Sequence, residues 1–471
     1  MVDKSYEAIV IGAGPGGYPA GIRLGQLGVK TLVIEKEYYG GVCLNWGCIP
    51  SKALIAAANT YKGLATLQTM GIKVENPSID VGALQDWKDG IVNKLTSGVK
   101  GLLKANKADS VIGTAKIVSN TQVEITYPDG KREVVGATKG IVVATGAQVI
   151  QIPGMELDGQ TIISAREAVS LREATGTMVI VGGGVIGMEL GMVYQKLGMQ
   201  VIVVELLPQI LNGVDKDMVR VVQKAFEKTG GKVHVEHKVE KIVKKNGGGA
   251  TVTVASKDGK TFDVEADKVL MAIGFKPNSK GIGLEDVGVK LDPRGHILVD
   301  EKLETNVKGI YAIGDITGGQ YLAHKATKQG EIVAEVIAGH KAAVDWRAMP
   351  AAIFTEPEIA TVGISETAAK EAGKDVKIGK FPFSASGRAM AVRHTDGFIK
   401  TIVDAKTHEV LGVGIVGPEA SDLISEAALA IEMCAFAEDV HLTIHPHPTL
   451  GEAVMESFKH ALGEAVHVLN K

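Results

Sequence analysis

The stretch that decides the fold is Gly12-Ala13-Gly14-Pro15-Gly16-Gly17. It follows a short apolar run, Glu7–Ile11, and precedes a helical pattern that continues to about Leu27. An apolar strand, a glycine-rich turn and a helix in this order are typical of parallel α/β folds. The sequence therefore predicts a doubly wound sheet that begins at the amino-terminal end of the chain.

The spacing of the glycines predicts a dinucleotide site in this turn. Gly12 permits the tight turn, Gly14 lets the backbone approach a pyrophosphate, and Gly17 lets the helix pack closely on the sheet. The helix amino terminus then faces the phosphate charge, and Glu35, at the end of the next predicted strand, accepts hydrogen bonds from ribose hydroxyls. A lone glycine motif is a weak signal, but the strand before it, the helix after it and the acid 23 positions on strengthen it.

The same pattern occurs a second time. A strand at Met178–Val181 leads into Gly182-Gly183-Gly184-Val185-Ile186-Gly187, and Glu205 follows Gly182 by the same 23 positions. We therefore predict a duplicated unit in which Gly182, Gly184, Gly187 and Glu205 bind a second dinucleotide. The Glu205 carboxylate repels a 2′-phosphate and Leu206-Leu207 offers no cation to bind one, which favours NAD over NADP.

Each copy closes with a similar apolar strand, at 141–146 and at 269–274, and each contains a predicted hairpin, around Asp129-Gly130 and Asp258-Gly259. The first copy is 42 residues longer between its two landmark glycines, Gly12–Gly146 against Gly182–Gly274. After about residue 347 the pattern changes to that of an α+β domain. The expected divisions are 1–147 for a first nucleotide domain, 148–275 for a second, 276–346 for a central domain and 347–471 for an interface domain.

Composition excludes several classes of protein. The 471 residues hold 51 Lys and Arg against 54 Asp and Glu, a net charge of −3, without the basic excess of a nucleic-acid-binding protein. Glycine is abundant, at 58 residues, whereas three cysteines exclude a disulfide-stapled scaffold and a four-thiolate zinc site. No signal peptide or membrane span of about 20 apolar residues is evident, so we expect a soluble, cytoplasmic protein.

Two of the cysteines, Cys43 and Cys48, lie in the extra segment of the first copy. Five positions place them about 140° apart on a regular helix, so a bond between them requires a local distortion, which Gly47 permits. An inert buried pair or a structural bridge is the alternative, but a persistent bridge is rare in a reducing compartment and so short a loop gains little from one. Too few further ligands lie nearby for a metal. We therefore favour a redox pair, and we expect Cys434, within an apolar helical pattern, to be a small core residue.

A second candidate site lies near the carboxyl terminus. His445 and His447 flank Pro446 in an extended segment, and a helix is predicted to begin near Pro448 or Thr449. Histidine suits acid–base work because its pKa lies near working pH. No further metal ligands are evident, and the spacing alone leaves His445 and His447 as competing candidates.

These motifs together resemble the pyridine-nucleotide disulfide oxidoreductases over essentially the whole chain. The resemblance rests on the segment 41–52, both glycine loops, Tyr311-Ala312-Ile313-Gly314-Asp315 and the run from His445 to Glu452. Within the family it is to the lipoyl-oxidising members, although glutathione, mercuric and trypanothione reductases share the architecture. It implies FAD in the first unit, NAD in the second, a central domain that completes the flavin site and a carboxyl-terminal dimerisation domain.

The resemblance also assigns roles to residues. It implies a catalytic set of Cys43, Cys48, His447 and Glu452, in which Glu452 orients His447, Cys43 is the attacked sulfur and Cys48 lies next to the flavin. It implies that Lys52 and Glu189 lie near the flavin and that Asp315, Leu322 and Ala323 help bind it. Taken alone, Asp315 fits a surface acid equally well, Lys52 a solvated lysine and 322–337 a packed helix. The remaining cofactor contacts that we predict are Gly113, Thr145, Gly146, Val239, Ala272 and Gly274.

The implied reaction is the oxidation of protein-bound dihydrolipoamide, carried by the lipoyl domain of a multienzyme complex, with NAD⁺ as acceptor. The family pattern further implies an obligate homodimer in which the histidine reaches the disulfide of the other subunit. A reductase that works in the opposite direction with NADPH, and a flavoprotein that binds partners without turnover, remain alternatives. Two positions depart from the family pattern: Phe275 stands where many relatives carry Arg, which puts NAD affinity in question, and Pro19 lies early in the first helix.

Overall fold

A computed structural model describes residues 4–470 of the chain. The first unit is built on a sheet in the order β3-β2-β1-β6-β5-β4. Its elements are β1 (Lys4–Ile11), α1 (Gly17–Gln26), β2 (Thr31–Glu35), α2 (Gly41–Asn45), α3 (Cys48–Leu64), α4 (Val81–Ala105), β3 (Ala108–Ile112), β4 (Thr114–Ser119), β5 (Gln122–Thr126), β6 (Arg132–Val143) and β7 (Ala147–Val149).

The central strand β1 is covered on both faces, which explains its continuous apolar sequence. Ala8 and Val10 belong to the core that contains Leu24 of α1, whereas Ile9 and Ile11 belong to the opposite core with Ile125. The strand is parallel to β2 and β6 on either side. This packing fixes the carboxyl end of β1, where the first glycine loop begins.

The second unit repeats this arrangement with a sheet in the order β11-β10-β9-β15-β8. Its elements are β8 (Ile162–Ile163), α5 (Ala165–Ala168), β9 (Thr177–Val181), α6 (Val185–Lys196), β10 (Gln200–Val204), α7 (Lys216–Lys228), β11 (Lys232–His234), β12 (His237–Lys244), β13 (Ala250–Ser256), β14 (Thr261–Ala266), β15 (Lys268–Met271) and β16 (Phe275–Pro277). The strand β16 pairs with β7, so the chain enters and leaves the second unit side by side.

The remaining chain returns to the first unit and then forms a separate antiparallel sheet, β18-β19-β22-β21-β20. The elements are β17 (Ile310–Ala312), α8 (Ala323–Ala338), β18 (Ala351–Ile353), β19 (Glu358–Gly363), α9 (Glu366–Glu371), β20 (Val376–Pro382), α10 (Gly387–Ala391), β21 (Phe398–Asp404), β22 (Val410–Gly417), α11 (Ala420–Glu432), α12 (Ala437–Leu442) and α13 (Glu452–Leu462). The strand β17 lies parallel to β6, and the ion pair between Arg23 and Glu335 links α1 to α8. Residues 310–338 therefore complete the first unit.

The duplicated α/β architecture, both hairpins and the change of pattern after residue 347 are confirmed. One expectation near the carboxyl terminus is wrong in detail. The last described helix begins at Glu452 rather than near Pro448 or Thr449. Residues 447–451 form bends and a turn before it, and the Glu452 side chain reaches back to accept a hydrogen bond from the Thr449 N–H at 2.9 Å, as in a helix cap.

The prediction that Cys434 belongs to the core is also wrong. The helix α11 ends at Glu432, and Cys434 lies beyond it as an exposed free thiol with a φ of +55°. The apolar helical pattern continues past the point where the backbone leaves the helix, so this side chain is not carried onto the buried face.

Within residues 4–470, no helix is both long enough and apolar enough to cross a bilayer.

Candidate active site

The first glycine loop is held in its shape by two very close backbone approaches. Gly12 has a φ of +102°, and a Cβ there would overlap the Ala144 carbonyl oxygen. A Cβ on Gly17 would overlap the Gly12 carbonyl, which shows how tightly α1 abuts the turn. A Cβ on Gly14, in contrast, would meet only Gly41 Cα at 3.8 Å. Packing therefore requires glycine at 12 and 17, while the surface over Gly14 is open to an external group.

Glu35 is fixed against this loop at the end of β2. Its Oε2 accepts a hydrogen bond from the Ala13 N–H at 2.7 Å, and its Oε1 accepts one from Glu37 at 2.8 Å. The predicted contact Gly113 follows the neighbouring strand β3, and its N–H donates to the Glu35 carbonyl at 2.8 Å. The structure thus brings Glu35 and Gly113 together beside the first glycine loop.

The second loop has the same geometry. Gly182 has a φ of +103°, its Cβ would meet the Ala272 carbonyl oxygen at 2.5 Å, and a Cβ on Gly187 would overlap the Gly182 carbonyl. The Gly183 N–H donates to Glu205 Oε2 at 2.7 Å. Nothing lies within 4 Å of a Cβ built on Gly184, so this position too is open.

A cavity of about 200 Å³ lies at this second loop, and Gly184, Ala272 and Gly274 line it together with Val185, Ile186 and Phe275. Phe275, the residue that departs from the family pattern, therefore lines this cavity. The predicted contact Val239 lies on β12, two residues after His237, whose N–H donates to the Glu205 carbonyl at 3.0 Å.

After β2 the chain turns back to the first glycine loop at Gly40, and the disulfide lies just beyond that point. Gly40 donates to the Ala13 carbonyl at 2.8 Å, and Cys43 and Cys48 are bonded with their Cα atoms 4.6 Å apart. The helical path breaks between them, because α2 ends at Asn45 and α3 begins at Cys48. This break supplies the distortion that the spacing demands.

Lys52 connects the disulfide helix to the second unit. It lies one helical turn after Cys48, and its Nζ pairs with Oε2 of the buried Glu189 at 2.7 Å. Glu189 Oε1 accepts from the Phe354 N–H at 2.9 Å, and Lys52 lies 4.4 Å from the centroid of the Phe354 ring. Phe354 carried no sequence signal for this role, because its contribution is a backbone N–H and a ring face from a distant segment.

Asp315 is the second residue of a short 3₁₀ helix, Gly314–Thr317, beside the amino end of α8. Burial raises the pKa of its carboxyl and the nearby Lys325 offsets part of that rise. Among residues 4–470, no group donates a hydrogen bond to this carboxylate. A partly buried carboxylate without a donor among these residues fits a ligand that brings hydroxyl groups.

The neighbours of Asp315 are held by polar side chains on the buried face of α8. Gln329 accepts from the Gly314 N–H at 2.8 Å, and Lys325 donates to the Gly318 carbonyl at 2.6 Å. Sequence reasoning assigned no role to either residue. The sequence offered one signal for them: a spacing of four places both on the same face of the predicted helix. Leu322 and Ala323 start this helix, so 322–337 is also the packed helix of the alternative interpretation.

Thr145 and Gly146 lie where the first unit meets the central region. The Thr145 hydroxyl donates to the Asn278 carbonyl at 3.0 Å, the Asn278 side chain donates back to the Thr145 carbonyl at 3.0 Å, and Gly146 has a φ of +64°. This reciprocal pair ties together the strand ends that border the first nucleotide loop.

The two histidines near the carboxyl terminus have opposite environments. His447 Nδ1 lies 2.9 Å from Glu452 Oε1, its side chain is 81% exposed, and no described residue bonds its Nε2. His445 is only 7% exposed, and its ring nitrogens lie 2.7 Å from Glu426 and 2.9 Å from the Thr443 carbonyl. Only His447 thus has a ring nitrogen available to a substrate.

Glu452 is suited to orient this ring. Burial by itself raises the pKa of Glu452, but hydrogen bonds from the Thr449 N–H and from His447 outweigh it, so its pKa lies below the ordinary value. The ionised carboxylate can accept a hydrogen bond from Nδ1 of His447, and in the tautomer that this contact favours Nε2 is the unprotonated nitrogen.

Comparison with known proteins agrees with this geometry. Residues 6–330 match the family described as pyridine nucleotide-disulphide oxidoreductase, and residues 349–458 match the dimerisation domain of that family. A protein named dihydrolipoyl dehydrogenase from Halobacterium salinarum is 44% identical over 471 residues, which cover 100% of this chain and 99% of that protein. A protein of the same name from Geobacillus stearothermophilus is 45% identical over 465 residues, 99% of this chain and 98% of its own length.

Solved structures give the same result. The crystal structure of LpdA from Mycobacterium tuberculosis superimposes with a TM-score of 0.89 at 28% identity, covering 96% of this chain and 99% of that one. The flavoprotein disulfide reductase RclA from Escherichia coli has a TM-score of 0.85 at 26% identity, with the same coverage. The full-length matches at 44–45% identity and the two family matches lead to one conclusion: the chain belongs to the pyridine nucleotide-disulphide oxidoreductase family.

Proposed function

We propose that this protein oxidises dihydrolipoyl groups carried by a partner protein and reduces NAD⁺. FAD and NAD(H) are the cofactors of its family. The observation that carries the proposal is the Cys43–Cys48 disulfide, which lies on the segment that returns to the first glycine loop and is joined through Lys52 to Glu189 of the second unit. This arrangement links a thiol-reactive group to two nucleotide sites.

The first chemical step uses His447 as a base. Its free Nε2 takes the proton from one substrate thiol, and the resulting thiolate attacks the sulfur of Cys43 while the bond to Cys48 breaks. His447 passes that proton to the departing Cys48 sulfur and then takes the proton of the second substrate thiol. The second thiolate attacks the substrate sulfur bonded to Cys43, the bond between that sulfur and Cys43 breaks, and the proton passes to the Cys43 sulfur. The substrate leaves as a cyclic disulfide, and Cys43 and Cys48 remain reduced.

The cofactor assignments follow the two units. FAD, when bound, supplies the route by which the two electrons of the reduced cysteine pair reach NAD⁺. We assign FAD to Gly12, Gly14, Gly17, Glu35, Lys52, Gly113, Thr145, Gly146, Glu189, Asp315, Leu322 and Ala323. We assign NAD to Gly182, Gly184, Gly187, Glu205, Val239, Ala272 and Gly274. The open surfaces over Gly14 and Gly184 and the donor-free carboxylate of Asp315 support this assignment.

The match of residues 349–458 to a dimerisation domain supports a homodimer. We propose that His447 of one subunit acts on the disulfide of the other, that the substrate is a lipoyl domain of a multienzyme complex, and that the domains divide at 147, 275 and 346. The exposure of His447 supports action on a group outside its own chain.

The activity is tested by comparing turnover of dihydrolipoamide with NAD⁺ against turnover of glutathione disulfide with NADPH. We expect the first pair to exceed the second by at least about 10²-fold, because Glu205 disfavours the 2′-phosphate. Comparable or reversed rates would instead support the reductase alternative, and a purified chain without flavin absorbance would contradict the enzyme itself.

Action between subunits is tested by mixing two inactive variants, Cys43→Ser and His447→Gln, under conditions of subunit exchange. Mixed dimers regain activity if one intact site forms across the interface. No recovery after exchange has been demonstrated would place both groups in the same subunit.

A further inference from the structure

Arg166, from the second unit, lies on the segment between the two redox cysteines. Its guanidinium carbon is 4.4 Å from the centroid of the Trp46 ring, and its Nη2 is 2.6 Å from Glu37 Oε1. Tyr38 packs edge-on against the same ring, with centroids 5.7 Å apart. The Arg166 guanidinium thus pairs with Glu37, which precedes the two cysteines, and contacts Trp46, which lies between them.

Trp46 occupies the point where the helical path breaks. The helix α2 ends at Asn45, Trp46 has non-helical dihedral angles, and α3 begins at Cys48. The position of this residue therefore sets how the turn brings Cys43 and Cys48 together. Its indole is the large side chain of that turn, and Arg166 covers one of its faces.

The importance of this contact depends on the redox state. In the oxidised protein the sulfur–sulfur bond itself holds the turn closed. In the reduced protein that bond is absent, so the surroundings alone keep the two thiols near each other. A group that stabilises the closed turn raises the effective concentration of one thiol at the other.

We propose that Arg166 is a positioning residue that acts through Trp46 to keep the reduced Cys43 and Cys48 thiols close and so favours re-formation of their disulfide. Closure joins the two sulfurs and releases two electrons and two protons, and the flavin and then NAD⁺ accept the electrons in the proposed activity. The inference rests on the proposed function in that the pair must cycle between dithiol and disulfide.

Arg166 keeps the positive charge that its contact with Trp46 requires. The hydrogen bond to Glu37 raises the pKa of Arg166 above its ordinary value, despite the opposing effect of burial. A cation–π contact at a partly exposed site is worth roughly five-fold in an equilibrium constant. Loss of the cation should therefore lower the effective concentration of the thiols by about that factor.

The experiment measures the equilibrium between dithiol and disulfide in the FAD-loaded enzyme. Wild type and Arg166→Met are equilibrated with mixtures of reduced and oxidised dithiothreitol, quenched in acid, and alkylated, and the labelled Cys43 and Cys48 are counted by mass. A five-fold change shifts the midpoint of this two-electron couple by about 20 mV toward more positive values. Because neither dihydrolipoamide nor NAD⁺ is used, the result can be interpreted even if the proposed function fails.

Arg172→Met is the matched control. Arg172 lies on the same segment, and its exposed side chain pairs with the exposed Asp86 rather than with the disulfide segment. The control should retain the wild-type midpoint. Arg166→Lys, which keeps the charge, should shift the midpoint less than Arg166→Met does.

Trp46→Val tests the contact from its other side. The proposal predicts the same positive shift in Trp46→Val and in Arg166→Met, and a double variant that shifts no further than either single variant. Three results would overturn it: an unchanged midpoint in Arg166→Met, additive shifts in the double variant, or a shift toward more negative values. The last would mean that Arg166 acts as a charge that stabilises thiolates.

Discussion

The two nucleotide units agree closely in their glycine loops and differ in the segment that follows each acidic residue. In both, the N–H one position after the first glycine donates to the acid at 2.7 Å, from Ala13 to Glu35 and from Gly183 to Glu205. In both, the following chain returns to that same residue with a 2.8 Å hydrogen bond, from Gly40 and from Leu211. The loop and acid are thus a repeated binding framework.

The two units differ in the segment that follows each acid and leads back to the glycine loop, through Gly40 in the first unit and Leu211 in the second; we call it the return segment. In the first copy, the residues after Gly40 hold the disulfide. In the second copy, Leu206 is 67% exposed, Ile210 packs against Gly183, and the chain continues to Asp215. In the proposed function, binding and chemistry are therefore separable: the framework would bind a dinucleotide in either unit, and the return segment would determine whether thiol chemistry takes place beside it.

The largest effect should come from Cys43→Ser, which removes the chemistry of the first return segment. Turnover of dihydrolipoamide should fall by at least about 10³-fold, because the attacked sulfur is gone. The dissociation constant of NADH, measured by fluorescence titration, should be unchanged, and Cys434→Ser should retain full activity. A parallel loss of NADH binding would contradict the separation of the two units.

Gly12→Ala should disrupt the first glycine loop alone, and Gly182→Ala should disrupt the second alone. Each places a Cβ against a carbonyl oxygen at a positive φ, which strains the turn. Gly12→Ala should lose bound flavin, read from its absorbance, whereas Gly182→Ala should keep flavin and raise the KM for NAD⁺ at least about ten-fold.

Gly101→Ala is the control for both glycine variants, since a Cβ there meets nothing within 4 Å. It should retain wild-type flavin content and KM. Loss of flavin in Gly182→Ala would show that the two loops do not bind separate dinucleotides.

Glu205→Gln sharpens the comparison of the two acids. Removal of the negative charge next to a 2′-phosphate should raise the ratio of kcat/KM for NADP⁺ over NAD⁺ by about ten-fold. Glu35→Gln, the equivalent change in the first unit, should leave this ratio unaltered. An equal response from both variants would indicate that NAD is not confined to the second unit.

The last prediction concerns how the second unit is attached, and it is measured as stability rather than as activity. Lys400, on β21, is 2% exposed and pairs at 2.9 Å with Asp215, Asp217 and Glu366. Burial by itself raises the pKa values of Asp215 and Asp217, but their hydrogen bonds, including those from Lys400, lower both below the ordinary value.

Because the folded-state pKa values are lowered, these carboxylates contribute stability above their unfolded pKa, and it is lost as pH falls through the folded values. The melting temperature should therefore decrease at acidic pH. Lys400→Met should be less stable at neutral pH, by about 3–5 kcal/mol, and should show a weaker acid dependence. An acid dependence identical to that of wild type would place its origin elsewhere.

Local features of the fold could be predicted closely. The strand Thr31–Glu35 is found with the predicted bounds, the hairpin turns at Asp129-Gly130 and Asp258-Gly259 are present, and the helix break at Gly47 allows the disulfide. These features depend on the φ preference of glycine and on the period of apolar residues, which act over a few neighbouring positions. Cys434 shows the limit, since periodicity does not reveal where a helix stops.

The sequence by itself determined the two glycine loops, the acid that follows each one and the cysteine pair, because each is a short-range pattern with its own backbone geometry. Only the tertiary structure shows how differently His445 and His447 are placed: the first is buried against Glu426, and Nε2 of the second has no partner among the described residues. It alone placed Arg166 on Trp46 and Lys400 among three carboxylates. The contacts of Arg166 with Trp46 and of Lys400 with Asp215 and Asp217 join residues more than a hundred positions apart, and they depend on how whole units pack rather than on any local pattern.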